Sequence, residues 1–471
     1  MKQRLAIIGN GMAGARFCAE LVARGGTERF DISVFGEEPG GAYNRILLSD
    51  VLNGSREASA IETHSPDWFA RAGITLRAGE RITFIDREKR TLTSDGGRIS
   101  HFDQLVIATG SRAQIPPLDG LLDAQGKRKA GVFVLRTLAD CDRVANHART
   151  ATHALVVGGG LLGLEAARGL MQHGASVGVV HRSSCLMSAQ LDQSAGDLLR
   201  GQIERMGIQV HLDKNTSAIT GRDCAAGLAF RDGTELSADM VVLACGITPN
   251  VELAQEAGFD VDKGIVVDDC LRVEGEEGMY AIGECAQHRG ITYGLVAPVW
   301  EQARVLSHIL SEHDTGARYE GSKTSTKLKV MGIELASIGN PREAEGDEVV
   351  QYVEARKGRY KKLIIRDGRL KGAILLGDVR RAATLQQAFD RSTPLPDERA
   401  TMLFDIGRGG GNDVAALPDD AALCNCNGIS AGTIRGAIQS GAADLQSLMN
   451  ATKAGTGCGT CKSSLKAMLG K

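Results

Sequence analysis

At 471 residues, with 43% hydrophobic residues and a formal net charge of -2 from Lys+Arg 55 and Asp+Glu 57, the chain is long enough for about three domains with buried cores. That balance excludes a disordered chain and a global basic field that would recruit nucleic acid or an acidic membrane. Cys 11, with no cleavage-site pattern and no long apolar segment, points to a cytoplasmic chain whose thiols are reduced or ligate metal rather than forming a disulfide framework.

The first stretch, RLAIIGNGMAGARFCAEL, predicts a buried strand from Leu5 to Ile8, a turn carrying Gly9, Gly11 and Gly14, and a helix. Glycines at that spacing let the backbone approach a pyrophosphate, whose charge then faces the positive end of the helix dipole. The next strand, DISVFGEE, ends at Glu37 and Glu38, where a carboxylate can accept hydrogen bonds from an adenosine ribose. The same device recurs at ALVVGGGLLGLEAARGL, with Gly158, Gly160 and Gly163, so two dinucleotides are expected.

After the second glycine turn, the strand SVGVV ends at His181 and Arg182 with no acid in place. His181, Arg182 and Ser183 suit a 2′-phosphate and hence NADPH. The alternative is that Arg182 is a solvated loop residue and NADH binds. Three further strands end in small-residue turns: DQLVIATGS at Ala108, Thr109 and Gly110, DMVVLACGITPN at Ala244, Cys245 and Gly246, and MYAIGECAQ at Gly283 and Glu284.

Residues 319–402 carry alternating strands, TKLKVMGIELASIG and YKKLIIRDGRLKGAILLGD, the second with an RDG hairpin turn, followed by the helix RRAATLQQAFD. They predict a small α+β cap. GRGGGNDVAALPDDA, within 403–421, reads as a linker or exposed loop. Beyond it stand Cys424 and Cys426, then Cys458 and Cys461. Four thiols at this density are metal ligands, and the spacing suits tetrahedral zinc as well as two sulfide-bridged irons. Between the pairs, two short helices are expected, starting near Ser430 and Asp444. The single cysteines Cys18, Cys141, Cys185, Cys224, Cys245, Cys270 and Cys285 are expected as small buried hydrophobes.

The order of two glycine turns followed by ATG, ACG and GE strand ends resembles the two-dinucleotide flavoprotein reductases of the ferredoxin reductase and pyridine nucleotide-disulfide oxidoreductase type. The resemblance implies a doubly nested α/β fold. Its FAD domain is expected at 1–115 and 247–318, its NAD(P)H domain at 116–246, and a cap at 319–402. It implies FAD on Gly9, Gly11, Ala13, Gly14, Glu37, Ile82, Thr109, Gly110, Arg136 and Glu284. The nicotinamide nucleotide is expected on Gly158, Gly160, Leu162, Gly163, Glu165, His181, Arg182 and Gly246. Glu165 is expected where nicotinamide meets flavin.

YNRILLS, Tyr43 to Ser49, looks like the flavin-side motif of ferredoxin reductases, with Arg45 as its guanidinium. Glu165 and Arg45 are thus the residues expected beside the reacting rings. Asp50 stands where that family has lysine, so the usual lysine pairing with Glu165 is not expected. GGAYNRILLSDVLNG contains no cysteine, which excludes the thiol chemistry that disulfide reductases perform at the flavin.

CxC followed by KAGTGCGTC resembles the bacterioferritin-associated ferredoxin domain, which implies a [2Fe-2S] cluster on Cys424, Cys426, Cys458 and Cys461 in a short helical domain at 422–471. Across the whole chain the motifs resemble the amino-terminal half of NAD(P)H-dependent assimilatory nitrite reductases. The chain stops before a sirohaem domain, so it is expected not to reduce nitrite itself. It is expected to pass electrons from NADH or NADPH through FAD and the cluster to a separate molybdenum-containing nitrate reductase catalytic subunit. A separate sirohaem nitrite reductase, a rubredoxin or a ferredoxin is the alternative acceptor. The last domain alone would suggest an iron-mobilising module that docks on bacterioferritin.

Overall fold

The computed structural model describes residues 2–404, 414, 417–457 and 459–470, with the side chains of 328–330 outside the description. Cys458 and most of the glycine-rich segment expected as a linker therefore lie outside the described residues. The chain divides into two compact units. One comprises 1–45, 57–112 and 247–322, the other 46–56, 113–246 and 323–471.

The first unit is built on five parallel strands in the order Met279–Ala281, Gln104–Ile107, Gln3–Ile8, Phe30–Gly36, Ile74–Ala78. A parallel sheet covered on both faces demands unbroken apolar runs, and Leu5, Ile7, Ile32, Val34, Leu105 and Val106 are all buried. Helix Met12–Ala23 buries Ala15, Phe17, Cys18 and Leu21 on one side and packs against helix Val296–Leu310. Burial of a side chain such as Phe17 or Leu21 contributes about 2 kcal/mol. The strand order reverses direction at Gln3–Ile8 and Gln104–Ile107. In an open α/β sheet that crevice, at the carboxyl ends of the strands, is where ligands bind.

The second unit repeats the device. Its parallel strands run in the order Val132–Val134, Met240–Leu243, His153–Val157, Ser176–Val180, Gln209–His211. Helix Leu161–Gln172 follows the central strand, and the reversal falls between His153–Val157 and Met240–Leu243.

The same unit carries an antiparallel sheet in the order Ser325–Val330, Ile333–Gly339, Arg369–Leu376, Arg359–Arg366, Glu348–Glu354. Its RDG turn is the expected hairpin. Asp367 and Gly368 both take positive φ, 49° and 68°, as a two-residue turn matched to strand twist requires. Helix Ala382–Asp390 buries Ala382, Leu385 and Ala388, which join the core of this sheet. Tyr360 and Lys362 reach Asp192 at 2.6 and 2.7 Å and so tie the sheet to the second dinucleotide fold.

The terminal module is a short hairpin, Ala422–Cys424 with Ile429–Ser430, followed by helices Ala431–Gln439, Leu445–Thr452 and Lys462–Met468. Ser430 and Asp444 are the N-caps of the first two helices. Each accepts a bond from the backbone N–H three residues on, Asp444 at 2.7 Å, satisfying donors the helix itself leaves open.

Candidate functional site

The first glycine turn separates three roles. Gly9 has φ +114°, and a side chain there would collide with the Ala108 carbonyl, while one at Gly14 would collide with the carbonyl of Gly9. These two positions close the turn and let the helix lie on the strand. Gly11 is different: a Cβ there would meet nothing within 4 Å. It is the N-cap of helix Met12–Ala23, so open space stands before a helix N-terminus, where an anionic group is stabilised.

Around that turn the strand ends converge. Gly283, with φ +86°, would place a Cβ 2.9 Å from the Cβ of Ala13, and its N–H donates to Gln302 at 2.7 Å. Glu284 accepts a 2.6 Å bond from the Ser111 hydroxyl. Thr109 and Asn250 exchange two bonds at 2.8 and 2.9 Å, which fix the turn at Gly110. Ile82 opens strand Ile82–Asp86 and is buried.

The two acids after strand Phe30–Gly36 part company. Glu37 is exposed, its carboxylate 3.8 Å from Arg81. Glu38 accepts from the Tyr43 hydroxyl at 2.7 Å and from Arg45 at 2.5 Å. Arg45 lies 5.3 Å from the Tyr43 ring centre, so it is neutralised locally and stacked.

In the second unit the three glycine roles recur. Gly158 has φ +129°, and a side chain there would strike the Ala244 carbonyl. One at Gly163 would strike Gly158, while Gly160 has nothing within 4 Å. Leu162 and Glu165 follow on helix Leu161–Gln172, and Glu165 accepts a 2.6 Å bond from the backbone N–H of Met331. Gly246 has φ +111°, and its missing Cβ would lie 3.1 Å from Gln114 Oε1.

Past strand Ser176–Val180, His181 Nδ1 accepts the Gly159 N–H at 3.1 Å. That bond requires the neutral ring, and burial and the charge of Arg182 both push the imidazole below its usual pKa. Arg182 is exposed. His181 therefore braces the glycine turn, and the cation offered at the strand end is Arg182.

Arg136 belongs to the second unit, as its place within 116–246 implies, whereas Gly9, Glu37 and Glu284 belong to the first; its backbone N–H donates to the Asp140 carboxylate at 3.0 Å. One division was not visible in the sequence. The motif Tyr43–Ser49 is divided after Arg45: Ile46–Arg56 belongs to the second unit. There helix Leu48–Leu52 is held by His173 on the Leu52 carbonyl at 2.8 Å and by Cys141 on the Leu48 carbonyl at 3.5 Å. Asp50 pairs with Arg56 at 2.9 Å.

Cys424, Cys426 and Cys461 are buried at 1%, 5% and 2% exposure. The sulfurs of Cys424 and Cys426 are 3.6 Å apart. Hydrogen bonds from Cys426 and Cys461 push the Cys424 thiol down to about 3, so Cys424 has both sulfurs as neighbours. A buried thiolate is costly unless a cation balances it, and soft sulfur donors in one pocket fit an iron-sulfur or zinc centre. Gly457 packs closely on this group, since a Cβ there would lie 2.5 Å from Cys426 Sγ. Among the described residues, which do not include Cys458, no group of three or more His, Cys, Asp or Glu side chains is placed to hold a metal ion.

Among the single cysteines, Cys18, Cys141, Cys185 and Cys285 are buried as expected, but Cys245 and Cys270 are partly exposed and Cys224 is exposed. The reason at Cys224 is local: it lies outside the strands, in the loop between Thr216–Thr220 and Gly227–Phe230.

Two nested dinucleotide folds with a thiol-rich terminal module define a nucleotide-dependent flavoprotein with an attached one-electron centre. Residues 3–305 match the family described as Pyridine nucleotide-disulphide oxidoreductase, and the chain belongs to that family. Residues 325–393 match the Rubredoxin NAD+ reductase C-terminal domain, and 422–471 match the BFD-like [2Fe-2S] binding domain. The protein is an NAD(P)H-dependent oxidoreductase with FAD and a [2Fe-2S] cluster as cofactors.

The chain is 40% identical to "Nitrite reductase [NAD(P)H]" of Bacillus subtilis over 98% of its own length and 56% of the relative's. It is 38% identical to that organism's "Assimilatory nitrate reductase electron transfer subunit" over 98% of its length and 58% of the relative's. It thus spans a little over half of each, so the expectation drawn from chain length does not separate the two. In fold it is similar to putidaredoxin reductase in its complex with putidaredoxin, with a TM-score of 0.75, 22% identity, and coverage of 85% of this chain and 97% of that one. It is likewise similar to the NADH:rubredoxin oxidoreductase of Clostridium acetobutylicum, with a TM-score of 0.70, 21% identity, and coverage of 86% and 100%.

Proposed function

We propose that this chain takes hydride from NADH or NADPH and delivers electrons singly to the separate molybdenum-containing catalytic subunit of an assimilatory nitrate reductase. When bound, FAD supplies the conversion of a two-electron hydride transfer into one-electron steps, and the cluster supplies a one-electron carrier.

The chain's own residues hold and orient these groups. Gly9, Gly11, Ala13 and Gly14 receive the FAD pyrophosphate at the helix N-terminus, and Glu37 its adenosine ribose. Ile82, Thr109, Gly110, Arg136 and Glu284 complete that site. Gly158, Gly160, Leu162 and Gly163 receive the nicotinamide nucleotide, with Gly246 closing the turn and His181 and Arg182 at its adenosine end. Arg45 is assigned to the flavin ring and Glu165 to the nicotinamide ring, and Cys424, Cys426, Cys458 and Cys461 to the cluster. The FAD domain is assigned to 1–115 with 247–318, the nucleotide domain to 116–246, the cap to 319–402 and the cluster domain to 422–471.

The observation that carries this reading is the pair of glycine turns, each with one open position at a helix N-terminus, joined in one chain to a buried cluster of thiols. The relative named as an electron transfer subunit supports the nitrate reductase partner. The relative named as a nitrite reductase favours a second reading, delivery to a sirohaem nitrite reductase.

Among the described residues no helix is long and apolar enough to cross a membrane. The test is reconstitution: purified chain, NAD(P)H, and either catalytic protein. Nitrate-dependent oxidation with the molybdenum subunit is expected. Turnover with the sirohaem enzyme alone would move the assignment to the second reading.

A further inference from the structure

Helix Leu48–Leu52 continues directly from Arg45, yet it is anchored in the second unit by His173 and Cys141. The chain then turns back. The N–H groups of Ser55 and Arg56 both bond the Asp50 carbonyl, at 3.0 and 3.1 Å, and the Asp50 carboxylate holds Arg56 Nε at 2.9 Å. With one edge of its guanidinium fixed, Arg56 points Nη2 at the carbonyl of Gly457, 3.4 Å away. Gly457 is the residue whose backbone lies against Cys426 Sγ. Arg56 thus joins a helix that begins in the flavin-side motif to the loop that carries the cluster sulfurs.

Among the described residues, two further contacts join the terminal module to the cap of the same unit. Arg391 meets Asp420 at 3.3 Å with the acid 83% exposed, a pair worth little in water, and Ala383 adds a small apolar contact.

We propose that Arg56, oriented by Asp50, is a positioning residue for electron transfer into the cluster: it docks the cysteine loop on the segment that follows Arg45. The inference rests on the electron route proposed above. Transfer between two bound centres falls steeply with their separation, so a loop held in place by one directed bond gains rate without any change at either centre. The guanidinium suits this role, since its rigid plane lets Nε answer Asp50 while Nη2 reaches the carbonyl.

The test compares wild type, Arg56→Gln and Asp50→Asn as full-length protein loaded with FAD and cluster. Rapid mixing with NAD(P)H under anaerobic conditions follows flavin bleaching and cluster reduction separately. Iron content, the cluster's spectrum and midpoint potential, and amide exchange at 453–457 are measured alongside. In Arg56→Gln, flavin bleaching, iron content and potential should match wild type, while cluster reduction slows about tenfold and amide exchange at 453–457 quickens. Asp50→Asn should move both readouts in the same direction by less.

Unchanged cluster reduction in Arg56→Gln would overturn the proposal. So would lost iron or a shifted potential, which would make Arg56 a support of the cluster itself. A wild-type cluster that NAD(P)H never reduces would instead sink the electron route.

Discussion

The backbone N–H of Met331 donates a 2.6 Å hydrogen bond to Glu165, so the turn between the first two strands of the antiparallel sheet fixes a carboxylate on the helix that opens at Gly160. Met331 itself takes φ 51° and is buried, a strained position for a bulky residue. In Glu165→Ala the rate of flavin reduction by NAD(P)H should fall about tenfold, while Glu165→Gln, which keeps an acceptor for Met331, should lose less. Reduction of the same flavin by dithionite is the control. A full rate in Glu165→Ala would leave Glu165 a brace of the turn alone.

Gly160 and Gly163 should respond in opposite ways to the same substitution. A Cβ at Gly160 meets nothing within 4 Å, so the fold should tolerate a valine there while nucleotide-driven flavin reduction drops by roughly a hundredfold. FAD content should stay at the wild-type level. A valine at Gly163 drives into the Gly158 carbonyl and should destabilise the fold by about 3 kcal/mol, read as a lower midpoint in urea. Loss of FAD from Gly160→Val would mean that the two nucleotides have been assigned to the wrong folds.

Arg182→Glu tests nucleotide choice. With His181 committed to the Gly159 N–H, Arg182 is the cation at that strand end, and replacing it should lower kcat/KM for NADPH relative to NADH by about tenfold or more. An unchanged ratio would make Arg182 a solvated loop residue.

How far the sequence carried differs by feature. The glycine turns were legible because each role is local: a tight turn, an open approach, and a close helix-strand contact are written in three positions. The RDG hairpin and the caps at Ser430 and Asp444 were legible for the same reason. What escaped was long-range pairing. Glu38 and Glu37 are adjacent acids with equal claims until Tyr43 and Arg45 engage only Glu38. Nothing between Arg45 and Ile46 marks the passage from one unit to the other, because the helix that follows is anchored by residues over ninety positions away. Cys224 sits in a loop whose apolar neighbours read like strand.

Lys361 and Asp378 form a buried pair at 2.9 Å, 3% and 8% exposed. Hydrogen bonds from Arg380 and Lys361 hold the Asp378 carboxyl well below the usual carboxylate range against the opposing cost of burial. A depressed carboxyl pKa stabilises the fold above the unfolded pKa, about 4, and that contribution is lost as pH falls below it. Asp378→Asn should cost about 3 kcal/mol at pH 7 by leaving Lys361 without its counter-charge. Urea unfolding at pH 7 and at about pH 3.5 should then show a smaller acid loss in the variant than in wild type.

Cys424→Ser should remove most of the iron and sulfide while dye reduction by NAD(P)H stays near wild type, because the dye takes electrons at the flavin. Partner-dependent nitrate reduction should stop. Partner turnover without the cluster would show that electrons leave the flavin directly.

The cysteines are also part of the terminal module's interior, packed with Leu423, Ile434, Leu448 and Leu465. A segment of about fifty residues has little apolar surface to spare, so a centre held by these sulfurs, as proposed above, would be structural as well as electronic. Iron supply would therefore set the lifetime of this part of the chain. Protein made in iron-starved cells should present the terminal module to proteases as an unfolded tail, while the nucleotide folds resist digestion. Brief trypsin treatment of iron-free and iron-loaded protein would reveal that dependence as a truncated product in the first sample and an intact chain in the second.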